Sequence, residues 1–249
     1  MNAARRMVRH LAFLLALSTL GVARSPAFTM EPMVAMLSPL GSSSIATFRF
    51  KNDGTDPVAL RFKVVTRALG ADGNEQNQPA DGSFDIYPSR LVLDPGATAV
   101  TKVRWKGGAT KLREELAFRF IAEQVPVSFS SDGDSGLKIL FRYIASLYVG
   151  EDAFKPSILA TAVPAVGPDG AAGFTVELAN LGVRHVVVEK LAIGLSLPDG
   201  GTLILSGEKL TGLTGLNYLP KNSRRIFVPS EAAIEGRSYH ASANFDPYN

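Results

Sequence analysis

The stretch "GLKILFRYIASLYV", Gly136 to Val149, is the longest nearly unbroken apolar-and-basic run after the N-terminal segment. At period two it has two unequal faces. Leu137, Ile139, Phe141, Tyr143, Ala145 and Leu147 point one way, and Lys138, Leu140, Arg142, Ile144, Ser146 and Tyr148 point the other. A strand this long, apolar on one face and half apolar on the other, must be buried, partnered or prone to aggregate.

The stretches before it read as strands too. Phe48 and Phe50 alternate with Thr47, Arg49 and Lys51, and that run stops at "NDG", Asn52 to Gly54. Leu60, Phe62 and Val64 alternate with Arg61 and Lys63; Val103 and Trp105 alternate with Lys102 and Arg104. Leu116, Phe118, Phe120 and Ala122 form a further apolar face. Turn-rich joints separate these runs: Gly70 to Gly82, "DPG" at Asp94 to Gly96, "KGG" at Lys106 to Gly108 and Ser130 to Gly136. Short alternating strands with turns at this spacing predict an antiparallel sandwich. Helical period is hard to find; the best candidate is a single turn at the front of "KLREELAFRF". After Val149 the pattern breaks at "GEDAFKP", Gly150 to Pro156, and a second strand series follows, including "HVVVEKLAIGLSL", His185 to Leu197. The division expected is residues 28–149, a linker at 150–156, and 157–249.

Residues 1–27 read as an export signal. Arg5, Arg6 and Arg9 precede an apolar run, Leu11 to Ala23, too short to span a bilayer comfortably, and small residues lie at Ser25 and Ala27. Cleavage near Ala27 would leave Phe28 first, with no stable membrane insertion afterwards. The whole chain carries 26 Lys and Arg against 23 Asp and Glu. Four arginines lie in the first 27 residues, so removing them leaves 22 against 23, a net charge of −1. The high isoelectric point therefore gives no argument for nucleic-acid binding.

Enzyme chemistry has little support. There is no cysteine, and the three histidines are His10, His185 and His240. Neither a zinc cluster nor a calcium-hand spacing is present. "GLTGLNY" lacks the lysine and the strand–helix context of a phosphate loop, so no nucleotide, metal or other cofactor is expected. His185 and His240 sit in alternating patterns and read as solvated or capped side chains. Glu114 and Glu115 are sequence neighbours and would face opposite ways in a strand.

With these residues in place, the chain resembles the periplasmic pilus and fimbrial assembly chaperones of the chaperone–usher pathway, the PapD-like family. The resemblance rests on "FTMEPMVAML" as the opening strand, "ATFRFKNDG" as the second, then "YPSRLVLDPGATAVTKVRW", "REELAFRFIAEQVPV" and "LKILFRYIASLYV". Its marker positions are Asn52, Pro88, Leu93, Pro95, Gly96, Arg104, Glu115 and Pro126, with Asn180 in the second half. It implies an all-β chain of two tandem immunoglobulin-like β-sandwich domains set in an L or boomerang. It implies that the opening stretch is the strand lent to pilin subunits by donor-strand complementation, through Leu137, Ile139, Phe141 and Tyr143. An outer-membrane usher would be the next partner.

The family anchors the subunit's C-terminal carboxylate with two basic residues, but Met36 and Ser146 stand at those positions here. Val92 and Gly150 likewise replace two basic interdomain positions, as in a divergent, archaic-type branch. Arg142 and Arg90 are the candidate anchors in their place, because a buried carboxylate needs a charge-assisted partner. The alternative of another class is a tandem-sandwich adhesin or structural pilus subunit. That would need a ligand pocket, or a missing strand with a donor extension.

Overall fold

A computed structural model describes residues 28–69, 74–107, 111–126, 139–167, 169–196, 200–214, 218–220, 223–229 and 241–245. Two hydrophobic cores organise them. The first is enclosed by a four-stranded and a five-stranded sheet. The four-stranded sheet has the order β1 (Phe28–Glu31), β3 (Ile45–Asn52), β9 (Thr98–Trp105), β7 (Phe84–Tyr87). The other has the order β2 (Val34–Leu37), β11 (Arg142–Val149), β10 (Leu116–Val125), β4 (Val58–Thr66), β8 (Arg90–Leu93). A two-stranded hairpin, β5 (Ala68–Leu69) with β6 (Glu75–Gln76), lies outside both sheets.

The alternation read in the sequence becomes burial. On β3, Ala46, Phe48, Phe50 and Asn52 are buried while the residues between them are exposed. The core is aromatic: Phe48 stacks on Phe120 with ring centroids 4.2 Å apart, and Phe62 stacks on Phe120 at 5.6 Å. Each such ring contributes roughly 1.5–3 kcal/mol by leaving water. Asn52 is the polar exception. Its Nδ2 donates to the carbonyls of Asp56 (2.8 Å) and Leu93 (3.0 Å), and its Oδ1 accepts from Gly54 N–H (3.0 Å). One side chain thus ties the turn after β3 to the end of β8. Gly96 completes the facing "DPG" turn with φ 75°, a region open to glycine, and its N–H donates to Asn52 O.

The opening segment "FTMEPMVAML" is two strands, not one. Pro32 has no N–H to donate, so the ladder cannot continue through it. Before it, β1 pairs with β3 in one sheet; after it, β2 pairs parallel to β11 in the other. The segment before β10 holds no helical turn; residues 111–115 are bends and irregular chain leading into Leu116.

The second core is enclosed by β12 (Ile158–Val166), β13 (Ala172–Asn180) and β16 (Ser223–Pro229) on one side. The other side holds β15 (Thr202–Ser206), β14 (Leu191–Ser196) and β17 (Ala241–Phe245). Its buried residues are mostly aliphatic, with Phe174 among Val176, Leu178, Leu191, Ile193 and Leu195. Asn180 repeats the role of Asn52: it donates to the carbonyls of Arg184 (2.8 Å) and Leu219 (3.2 Å) and accepts from Ser157 and Gly182.

Two readings of this half change. A helix, α1 (Gly207–Thr214), follows β15 and buries Leu210 in the core. The strand expected from His185 to Leu197 spans only Leu191–Ser196, because Val188–Lys190 forms a tight 3-10 turn.

Candidate functional site

The candidate site is built on β11, which meets β10 along its whole length and β2 along only half. Leu116 to Glu123 pair with Val149 to Arg142, and Gln124 N–H donates to Phe141 O (3.0 Å). On the other side β2 pairs only with Ser146 to Val149; the first contact is Ser146 N–H to Met33 O, 2.9 Å. Among the described residues, Arg142 to Ala145 therefore have a strand partner on one side alone. Backbone groups on such an edge can pair with another extended chain.

The apolar face expected here divides unevenly. Leu137 lies outside the described residues. Ile139 precedes the strand and is 60% exposed, with Leu140 also exposed. Phe141 and Tyr143 are half-buried against the first core, and Tyr143 meets the Phe28 ring edge-on at 4.8 Å. Ala145, Leu147 and Val149 are completely buried in that core. On the opposite face Ile144 is exposed.

The two candidate anchors lie apart. Arg142 stands on the outward face at the start of β11, 3.9 Å from Glu123 Oε2. Arg90 is on β8, the far edge of the same sheet, with β10 and β4 between it and β11. It faces Arg61 in register, and Arg61 is itself held by Glu123 at 2.6 Å. The structure brings neither to the other end of β11.

The marker residues hold turns and contacts around this frame. Thr101 Oγ1 donates to Pro88 O (3.2 Å), Pro95 and Gly96 form the turn against Asn52, and Pro126 is exposed just after β10. Leu93 is buried in the first core, and Arg104 pairs with Asp85. Glu115 is at the contact between the two halves. Its backbone N–H donates to Val183 O (2.9 Å), its Oε1 lies 2.5 Å from His185 Nδ1, and its Oε2 is 3.8 Å from Arg184 Nε. A carboxylate accepts, so Nδ1 of His185 carries the proton. His185 is thus a half-buried contact residue, not a solvated strand position; its ring stacks on Tyr148 with centroids 4.1 Å apart. His240 lies outside the described residues.

At the Ser146 end of β11 the structure assembles a cluster that single-strand periodicity does not reveal. Register places Arg119 of β10 opposite Ser146, and Arg119 Nη1 donates to Ser146 Oγ (2.8 Å). Arg67, one residue past β4, donates from Nη1 to Tyr148 Oη (2.9 Å) and lies 3.7 Å over the Tyr218 ring. Glu75 of β6 bridges the two guanidiniums: Arg67 Nε donates to Oε1 (2.8 Å), Arg119 Nε donates to Oε2 (3.0 Å), and Arg119 Nη2 also donates to Oε1. Burial raises the Glu75 carboxyl, but the hydrogen bond from Arg119 and the charge of Arg67 outweigh it and hold the group below its ordinary value. Burial raises the phenols of Tyr148 and Tyr218. In the sequence, Arg67 and Arg119 look like any outward-facing strand arginines. Their position beside Ser146 depends on register between β4, β10 and β11.

Among the described residues no helix is long and apolar enough to cross a membrane, and no group of three or more His, Asp or Glu is placed to hold a metal ion. No family model and no curated protein sequence matches the chain. Solved structures do. The class 5 fimbriae chaperone CfaA aligns over 88% of this chain and 100% of its own, at 12% identity and a TM-score of 0.56. A structure of the Salmonella enterica SafA pilin in complex with the SafB chaperone matches over 84% of this chain and 86% of that one, at 14% identity and 0.52. The Escherichia coli chaperone DraB matches over 83% and 87%, at 16% and 0.51. The chain has the all-β, two-core fold of these fimbrial chaperones.

Proposed function

We propose that the chain is a non-enzymatic periplasmic chaperone that stabilises pilin or fimbrial subunits by donor-strand complementation and passes them to an outer-membrane usher. The observation that carries this reading is the half-partnered β11. Its edge from Arg142 to Ala145, which has no strand partner among the described residues, adjoins the apolar residues Ile139, Phe141 and Tyr143. A subunit lacking one strand of its own sandwich has the complementary need: unsatisfied backbone groups and an open apolar groove. Pairing with this edge would supply both, and each apolar side chain leaving water contributes roughly 1.5–3 kcal/mol. The fold shared with CfaA and DraB, and with the SafA–SafB complex, supports the same reading. Export through removal of residues 1–27, and a donor face that extends to Leu137, belong to it.

Co-expression with subunits encoded beside the gene tests this. Ile139→Asp should abolish recovery of the soluble subunit, because the site is exposed and the chaperone itself should fold normally. Phe141→Asp should do the same with some loss of stability, since that ring also touches the core. Undiminished recovery with both variants would refute strand lending.

A further inference from the structure

The outward face of the five-stranded sheet carries a row of charge that its own acids do not balance. Register lines up Arg142 of β11, Glu123 of β10, Arg61 of β4 and Arg90 of β8, one after another across four neighbouring strands. At the usual spacing of paired strands the row is roughly 14 Å long. Lys63 stands two residues from Arg61 on the same face of β4, with its Nζ 3.3 Å from Glu123 Oε2. One carboxylate therefore serves Arg61 at 2.6 Å, Lys63, and more distantly Arg142 at 3.9 Å. The hydrogen bond from Arg61 holds the Glu123 carboxyl below its ordinary value against the effect of burial, so this acid is charged at neutral pH. Among the described residues Arg90 has no acidic partner. Four cations share one anion.

The row costs stability by itself. Arg61 and Arg90 are directly opposite on paired strands, a position in which like charges repel. Apolar side chains are exposed beside the same cations: Leu140 and Ile144 flank Arg142 two residues away on either side, and Val92 stands beside Arg90.

The direction of the row decides what could neutralise it. It runs across the strands. An extended chain added to either edge of the sheet runs along the strands, and it would meet only the cation of that edge. A flat array of anions with apolar matter beneath it meets the whole row and the exposed apolar groups together. A bilayer of anionic phospholipid is such an array.

We propose that this face is a peripheral membrane-contact surface, on which Arg142, Arg61, Lys63 and Arg90 take the phosphate headgroups of an anionic phospholipid bilayer while Ile144 and Val92 rest at its interface. No segment enters the hydrocarbon. The side chains assigned to strand lending, Ile139, Phe141 and Tyr143, alternate with Leu140, Arg142 and Ile144 and belong to the other face. The surface is thus separate from the lending face, and the inference stands or falls apart from strand lending.

Co-sedimentation of the full mature chain with vesicles tests this, comparing phosphatidylcholine alone with an equimolar mixture of phosphatidylcholine and phosphatidylglycerol. Partition should be about tenfold stronger on the mixture and should weaken steeply as salt is raised. Arg90→Ser, at an exposed position, should fold normally and lower partition about fivefold. Adding Arg142→Ser should bring the loss to about twentyfold. Lys102→Ser removes one positive charge from the outward face of the four-stranded sheet and should leave partition within about twofold of the wild type.

Equal binding to both kinds of vesicle would overturn the proposal, as would a double variant that binds like the wild type. An equal loss in Lys102→Ser would mean that net charge drives binding rather than this face, and would overturn it too. If inorganic phosphate at constant ionic strength released the chain, the row would be a site for free phosphate. If a soluble Glu-rich peptide bound the wild type but not Arg90→Ser, while vesicles bound neither, the partner would be an acidic protein. Either result overturns the bilayer assignment.

Discussion

The two halves of β11 have similar composition and opposite circumstances. From Ser146 to Val149 the strand has neighbours on both sides, every residue is buried, and its outward face is filled by Arg119, Arg67 and the His185 ring. From Arg142 to Ala145 it has one neighbour among the described residues, and Arg142 and Ile144 are exposed. The sequence repeats an apolar–polar pattern through both. The difference is made by where β2 begins, which is fixed by Pro32 and the Met33 carbonyl that meets Ser146. A strand can therefore be a structural core element at one end and an open edge at the other with no change in its own code.

Substitutions that break this contrast should do so in a graded way. Leu147→Ala, in the closed half, removes a fully buried side chain and should cost about 2–5 kcal/mol in denaturant unfolding. Arg119→Met should cost about 1.5–3 kcal/mol, because Ser146 and Glu75 lose a charge-assisted partner in a largely buried place. A smaller effect should appear in acid. Glu75 has a native pKa below its ordinary 4.5, held there by Arg119 and Arg67 against the effect of burial. Its contribution is present above about pH 4.5 and is lost as pH falls through the lowered native value. Melting temperatures of the wild type and Glu75→Gln should differ at neutral pH and converge in strong acid; a constant gap would mean that Glu75 is not held as an anion. The smallest stability effect belongs to the open half: Ile139→Asp should stay within about 0.5 kcal/mol of the wild type while subunit recovery collapses. A large loss of stability there would erase the contrast between the halves.

Sequence periodicity read β3 and the Leu60–Val64 part of β4 well because there one face is buried and the other is not, so alternation survives in the residues themselves. It read the first core's aromatic faces for the same reason. It missed α1, whose buried Leu210 and half-buried Leu213 are too few to set a helical period. It read the opening segment as one strand, because a single proline in an extended run does not say that the chain changes sheets. At the candidate site, the alternating face through Ile139, Phe141 and Tyr143 was legible. The arginine pair was not, since Arg67, Arg119 and Ser146 come from three separate stretches and each looks ordinary alone.

Residue pattern alone was enough to set the all-β class, the two strand series, the turns at Asn52 and Gly96, and the apolar face of β11. These depend on side-chain alternation and on backbone limits of glycine and proline, both local properties. The tertiary structure decided which half of β11 is closed, and that Glu115 and His185 join the two halves of the chain. It also decided that Glu75 holds two arginines beside Ser146. Those facts depend on register between distant strands, and register is set by the packing of the whole sheet, which no single stretch encodes.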